Sequence, residues 1–393
     1  DKSGTHTDQA GRIGTAYVLG AGAYEDDANA KVEIDEINKK LYEKTDANIN
    51  AIYDWGFEAT MNAFEDLYKI LGTKFEYYFL ESQMAPTGEK IVRANLGDIF
   101  TESDGAIVFK AEEHHKEGEP KLHTRVFITS KGLPTYETKE LGLTESKFET
   151  LPDMNLSIVI TANEQLEYMR VVSKALSLIH SEYESKMKHI THGMMRLTSG
   201  KMSSRKGNIV TGESLLRDTI ALVGEKIKDR EWDEDKKEFV SKVVGVAALK
   251  YSILKQSTGG DIQYDPEKSI SFEGDSGPYL QYSYARARSV IEKSQKENIA
   301  PDPHAFGGES FEIEKLLYKF PEVVARSAST YEPHFIANYL IEVARAYNSF
   351  YANNIIVSKE DVNSPYKIAL TYSFTFVMKT GLHLLGIKAP EKM

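Results

Sequence analysis

Nine consecutive residues, Gly200-Lys201-Met202-Ser203-Ser204-Arg205-Lys206-Gly207-Asn208, place three cations and two hydroxyls between glycines. Such a loop has the donors to close over a triphosphate and to neutralise charge on a leaving pyrophosphate. A solvated basic loop is the plain alternative. Its setting is distinctive. From Ser185 to Gly212 there is no Asp or Glu, whereas Lys186, Lys188, Arg196, Lys201, Arg205 and Lys206 are basic. Across all 393 residues, 59 Asp+Glu outnumber 48 Lys+Arg, for a formal charge of −11. The total argues against indiscriminate polyanion binding, and the segment marks a local anion site.

Tyr136 and Glu140 are the second pair. At i,i+4 on a helix their side chains project the same way. A carboxylate beside a phenol suits a guanidinium, whose N–H donors lie in a fixed plane; a lysine would leave part of that pairing unmade. An exposed helix face with a solvated Glu is the alternative. Further on, Tyr279, Tyr282 and Arg286 form a stripe about 100° from the apolar one of Leu280, Tyr284, Ala287 and Ile291. Two phenols and a guanidinium off the core face make a stacking platform for unpaired bases with a phosphate partner. His114, His115 and His123 sit among Glu and Lys without metal-ligand spacing, so they read as a solvated loop and no metal site is expected.

The elements that must position these residues are α/β in the middle and helical at the end. Residues 1–24 read as loop followed by a short helix, and a charged helix runs from about Glu25 to Glu43. Another helix spans Ala47 to Leu71 with Gly72 as its C-cap. Strand-like runs follow at Phe75–Leu80 and Ala106–Lys110, with polar loops between them. Arg125–Ile128 is a short strand, and Gly132-Leu133-Pro134 turns into a helix near Thr135. Leu156–Thr161 lacks alternation, as expected of a parallel strand covered on both faces, and a helix from about Gln165 to Ile179 follows. This rhythm predicts an open parallel sheet, with ligands at the strands' carboxyl ends, near 130–136 and 161–165. After about Leu215 the strands are expected to stop. Stripes at 240–251, 280–291, 336–351 and 370–385 then predict an all-helical bundle.

Five ordered segments share a resemblance. Gly200–Asn208 resembles the KMSKS loop of class I aminoacyl-tRNA synthetases in the variant carried by arginyl-tRNA synthetases. Gly132–Glu140 resembles that family's GLPTYxTKD motif, and Gly277–Tyr282 with Ala285-Arg286 its GPYLQYxxAR helix. Tyr347–Tyr351 resembles AYNxFY, and Ala389–Met393 the APERM terminus. Residues 17–120 resemble, more loosely, an insertion in the catalytic domain. The implied fold is α/β plus all-α: an incomplete Rossmann-type class I catalytic domain with an inserted α/β segment, then an all-helical anticodon-binding bundle. The implied division is 1–225 for the catalytic part (insertion about 25–122, second Rossmann half about 123–225) and 226–393 for the bundle.

The resemblance implies an arginine–tRNA ligase with ATP, Mg2+, arginine and tRNA(Arg) as substrates, no tightly bound cofactor, and a monomer in the cytoplasm. It assigns catalytic roles to Lys201, Ser203, Ser204, Arg205 and Lys206, and arginine binding to Tyr136, Glu140 and Glu164. ATP falls to His192, Gly193, Met194, Lys201 and Met202, and tRNA to Tyr279, Tyr282, Arg286, Tyr347, Tyr351 and Met393. Tyr347 and Tyr351 also fall on an apolar stripe, so a core role competes. There are two departures: Glu140 stands where the family has Asp, and Ser204 stands for the second lysine of KMSKS. No His-x-Gly-His occurs, and the chain opens at Asp1, so a truncated chain is expected. The alternatives are a non-catalytic tRNA-binding module and another adenylate-forming nucleotidyltransferase. The lack of Cys excludes a thiol nucleophile, disulfides and Cys-based metal sites, and no apolar run nears the roughly 18 residues of a membrane span.

Overall fold

The computed structural model describes residues 2–115, 118, 120–198, 211–305, 308 and 310–393. The chain divides into two compact units, residues 1–76 and 77–393.

The first unit is three helices: α1 (His6–Asp26), α2 (Ala28–Glu43) and α3 (Ala47–Leu71). The opening is thus a long helix where a loop and a short helix were expected. Thr5 and Asp8 form a reciprocal capping box that starts the helix early. Asp27 and Asp46 cap the next two, and α3 ends on Gly72 at φ 71°, as its C-cap position requires. His6 pairs with Asp66 at 3.0 Å and Trp55 donates to Gln9 at 3.2 Å, tying α1 to α3.

Phe75–Leu80 forms no strand; in the second unit Leu80 is the N-cap of α4 (Glu81–Ala94), a helix where loop was expected. α4 lies against α5 (Tyr136–Thr150) so closely that a Cβ on Gly88 would meet the Thr138 carbonyl oxygen at 1.8 Å. One on Gly142 would meet that of Met84 at 2.2 Å. Strands β1 (Thr101–Ser103) and β2 (Ala106–Phe109) form a hairpin across Asp104-Gly105, both at positive φ. β3 (Arg125–Ile128) pairs antiparallel with β2, in place of joining the expected parallel sheet. The reason is aromatic packing: Phe100, Phe109 and Phe127 are fully buried with ring centroids 4.9–6.2 Å apart.

The parallel pairing is between β4 (Ser157–Ala162) and β5 (Met187–His192), joined by α6 (Leu166–Ile179). Only one face is covered. Val159 packs against the core that α6 builds, whereas Ile158 and Ile160 are 40% and 67% exposed, correcting the expectation of burial on both faces. β6 (Met195–Leu197) pairs parallel with β7 (Ile262–Tyr264), so strands do not stop at 215. β7 is reached through α7 (Gly212–Ile227) and α8 (Glu234–Leu254).

The short α9 (Pro266–Ser269) precedes α10 (Gly277–Lys296), α11 (Glu312–Tyr318), α12 (Phe320–Thr330), α13 (His334–Asn353) and α14 (Ser364–Leu384). Their apolar stripes meet in one core with Tyr251, Leu280, Tyr284, Leu340, Ala344 and Phe374 at its centre. The stripes end where Tyr351 and Leu384 emerge into solvent. α7, which contains residue 225, packs onto α8 through Val223, Ile227, Val240 and Val244. Among the described residues no helix is long and apolar enough to cross a membrane.

Candidate active site and nucleic-acid face

α5 begins at Tyr136 because Thr135 is extended and the Thr135 hydroxyl and amide are both satisfied by the β3 backbone. That fixes the helix head against β3 and α4. Tyr136 itself is 64% exposed, with the Lys139 ammonium 4.8 Å over its ring. Lys139 in turn pairs with Glu81 at 2.9 Å. Glu140 is half-buried, and desolvation holds its carboxyl above the ordinary carboxylate range; Lys147 pulls it back and Glu81 pushes it further up. The expected phenol–carboxylate pair therefore does not share one environment. The buried phenol that feels the Glu140 charge is Tyr168 on α6, whose hydroxyl is held protonated by burial and then by Glu140, Glu137 and Glu81.

Beside Tyr168 lie residues that the motif-based reading passed over. Glu137 is buried and accepts from Arg125 at 3.0 Å, and the Arg125 guanidinium lies 5.6 Å over the Tyr168 ring. Alternation in β3 carried the signal: Arg125 shares a face with the fully buried Phe127.

At the carboxyl ends of β4 and β5 the chain is stitched to the segment after α8. Asn163 donates its amide to the Gly259 carbonyl at 2.9 Å, and Glu164 beside it is exposed. Gly193 is buried where a Cβ would meet Gly260 at 2.4 Å. The Met194 amide donates to Asp261 at 3.0 Å, and its carbonyl accepts from the Ile262 amide at 2.9 Å. What remains at the crevice mouth is the Met194 side chain, 49% exposed, and the exposed His192. Lys201, Met202, Ser203, Ser204, Arg205 and Lys206 lie outside the described residues. No group of His, Asp or Glu that could hold a metal ion occurs among those described.

On α10, Ser276 caps the helix and accepts from the Tyr279 amide, so the stripe of Tyr279, Tyr282 and Arg286 starts in register. The Arg286 guanidinium stands 4.7 Å over Tyr282 and 5.2 Å over Tyr351. Tyr279, Tyr282, Arg286 and Met393 line a cavity of about 410 Å³ that also takes in Trp232, Phe272 and Asn348, and Tyr351 borders another, of about 600 Å³, with Tyr282, Arg286 and Met393. Tyr347 is the correction here. It is fully buried with its ring stacked on Phe374 at 3.9 Å, so it belongs to the core and cannot touch a nucleic acid directly. Its phenol sits one helical turn inward of Tyr351, and the apolar stripe claims it.

Residues 11–265 match the family described as tRNA synthetases class I (R), catalytic domain. Residues 280–393 match the DALR anticodon binding domain. The arginine–tRNA ligases of Clostridium perfringens and Enterococcus faecalis are 29% and 30% identical over 94% of this chain. The chain spans 66% and 65% of their lengths, just under two thirds. Among solved structures, the Thermus thermophilus arginyl-tRNA synthetase superposes with a TM-score of 0.76 at 22% identity, covering 97% of this chain and 69% of that one. The Plasmodium falciparum enzyme gives 0.73 at 18%, covering 100% and 68%. Two adjoining family matches, in the order of the α/β part and the helical bundle, leave one conclusion: this chain belongs to the class I arginyl-tRNA synthetase family.

Proposed function

We propose that the chain serves arginine–tRNA ligation. One observation carries the reading: the Glu140 carboxylate is half-buried at the head of α5, with burial working against its charge. A planar cation with several donors would relieve that penalty better than a point charge, which favours arginine over lysine. In this reading Glu140, with Tyr136 at the pocket's outer lip and Glu164 at the exit of β4, receives the amino acid. His192, Gly193 and Met194 receive the adenosine of Mg-ATP, with Lys201 and Met202 closing on it.

The chemistry needs no covalent nucleophile from the protein. A carboxylate oxygen of arginine bonds to the α-phosphorus of ATP, the bond to the bridging oxygen breaks, and Mg-pyrophosphate leaves. Lys201, Arg205 and Lys206, aided by Ser203 and Ser204, neutralise the developing charge. A terminal ribose hydroxyl of tRNA(Arg) then attacks the carbonyl carbon and AMP departs. Tyr279, Tyr282, Arg286, Tyr351 and Met393 hold unpaired anticodon bases, with Tyr347 supporting them from the core. Residues 1–225 supply the catalytic part and 226–393 the bundle, working as a monomer in the cytoplasm.

The test is ATP–pyrophosphate exchange dependent on arginine and tRNA. It is run on this chain and on a chimera carrying the part of the Enterococcus faecalis relative that this chain does not cover. Exchange by either chain supports the ligase reading. If neither exchanges while tRNA still binds, a non-catalytic tRNA-binding module replaces it.

A further inference from the structure

We infer that Asp261 is a positioning residue for the nucleotide, acting through Met194; this rests on the reading of His192–Met194 as the adenosine segment. Both carboxylate oxygens of Asp261 are engaged by residues 194–196. Oδ1 accepts the Met194 amide at 3.0 Å, and Oδ2 pairs with Arg196 Nε at 3.4 Å. Asp261 is itself exposed, so no packing depends on its side chain. The neighbouring fit has no slack: Gly193 lies on Gly260 where a Cβ would come within 2.4 Å, and Ile262 returns a hydrogen bond to the Met194 carbonyl at 2.9 Å.

The strand pairing of β6 with β7, from Met195↔Ile262 to Leu197↔Tyr264, begins one residue beyond this contact. Backbone pairing therefore secures the strand, and Asp261 secures the residue just before it, at the crevice mouth. With the Met194 amide and carbonyl both engaged by its own chain, the nucleotide meets the Met194 side chain. The direction of that side chain is set by the peptide that Asp261 holds. Loss of the carboxylate leaves the Met194 amide without its acceptor and frees Arg196, while the ladder that follows stays intact.

Mg-ATP titration by calorimetry tests this, with tRNA affinity and the thermal midpoint followed in parallel. Asp261→Ala is expected to weaken ATP binding about 5- to 10-fold. Asp261→Asn, which keeps a side-chain oxygen for the Met194 amide, recovers most of that loss. Neither change moves tRNA affinity or the midpoint. In a Met194→Ala background the effect of Asp261→Ala shrinks to below about twofold, because the two act through one contact. The inference is overturned if Asp261→Ala leaves ATP affinity within twofold, tightens it, or costs as much without the Met194 side chain. If the unaltered chain binds no ATP, the adenosine reading itself fails and this inference with it, an outcome distinct from ATP binding that ignores Asp261.

Discussion

Asn348 holds the Arg286 guanidinium in place: Nη1 of Arg286 donates to its Oδ1 at 2.7 Å, while its Nδ2 donates to Tyr279 at 3.0 Å and Ser283 at 2.8 Å. One amide on α13 thereby orients a cation and a phenol on α10. A guanidinium lying over two rings and tied at one nitrogen still has N–H donors to offer a phosphate or a base edge. Asn348→Ala is expected to weaken tRNA binding about 3- to 10-fold at fixed salt, as the half-buried hydrogen bonds that orient Arg286 and Tyr279 are lost. Arg286→Lys should cost at least as much, since a lysine cannot keep both the fork and the stacking. Fluorescence anisotropy with labelled tRNA measures both; wild-type affinity for Asn348→Ala would remove the amide from the site.

Tyr347 and Tyr351 sit one turn apart with opposite fates, buried and 41% exposed. Tyr351→Ala should lower tRNA affinity with little change in stability, removing one face of the Arg286 stack and a base platform worth about 1–3 kcal/mol. Tyr347→Ala should instead destabilise the bundle by about 3–5 kcal/mol through the cavity beside Phe374. Thermal unfolding and tRNA binding, measured on both variants, separate the roles. Equal stability losses would contradict the assignment.

Glu140 makes stability depend on pH with a definite sign. Its folded carboxyl ionises above the ordinary carboxylate range, so the folded state holds a proton that the unfolded chain has already released. Stability should therefore fall as pH rises from the ordinary carboxylate range through the raised folded value, then level off. Glu140→Gln removes that slope and is expected to be the more stable protein at pH 7, with the difference closing below about pH 4, where both chains are neutral at this position. Chemical denaturation at a series of pH values shows the two curves converging in acid; parallel curves would mean that Glu140 bears no burial penalty.

The helical bundle was largely legible because each stripe repeats over several turns, and a repeated apolar period survives local errors. Strand β4 was legible for a similar reason, since a β-branched run has few alternatives, but its parallel partner β5, Met187–His192, was not read as a strand. What escaped was set by partners distant in sequence. β3 reads as a strand, but only burial of Phe127 against Phe100 and Phe109 assigns it to the antiparallel sheet. β7 is three residues long and exists because Met195–Leu197 pairs with it. α4 carries an internal proline and is held by glycine contacts with α5 that no local pattern announces. At the site, spacing found Glu140 and the Tyr282–Arg286 stripe. It could not reveal that Tyr168, from another helix, is a buried phenol under the carboxylate's charge, or that Asp261 reaches Met194 across 67 residues.

The role of Glu140 as the acceptor of arginine is tested most directly by steady-state exchange kinetics of Glu140→Gln, in whichever chain exchanges pyrophosphate. The account predicts a KM for arginine raised at least about tenfold, as a charge-assisted pairing becomes a neutral one, with the KM for ATP unchanged. Equal rises in both KM values, or no change in either, would contradict it.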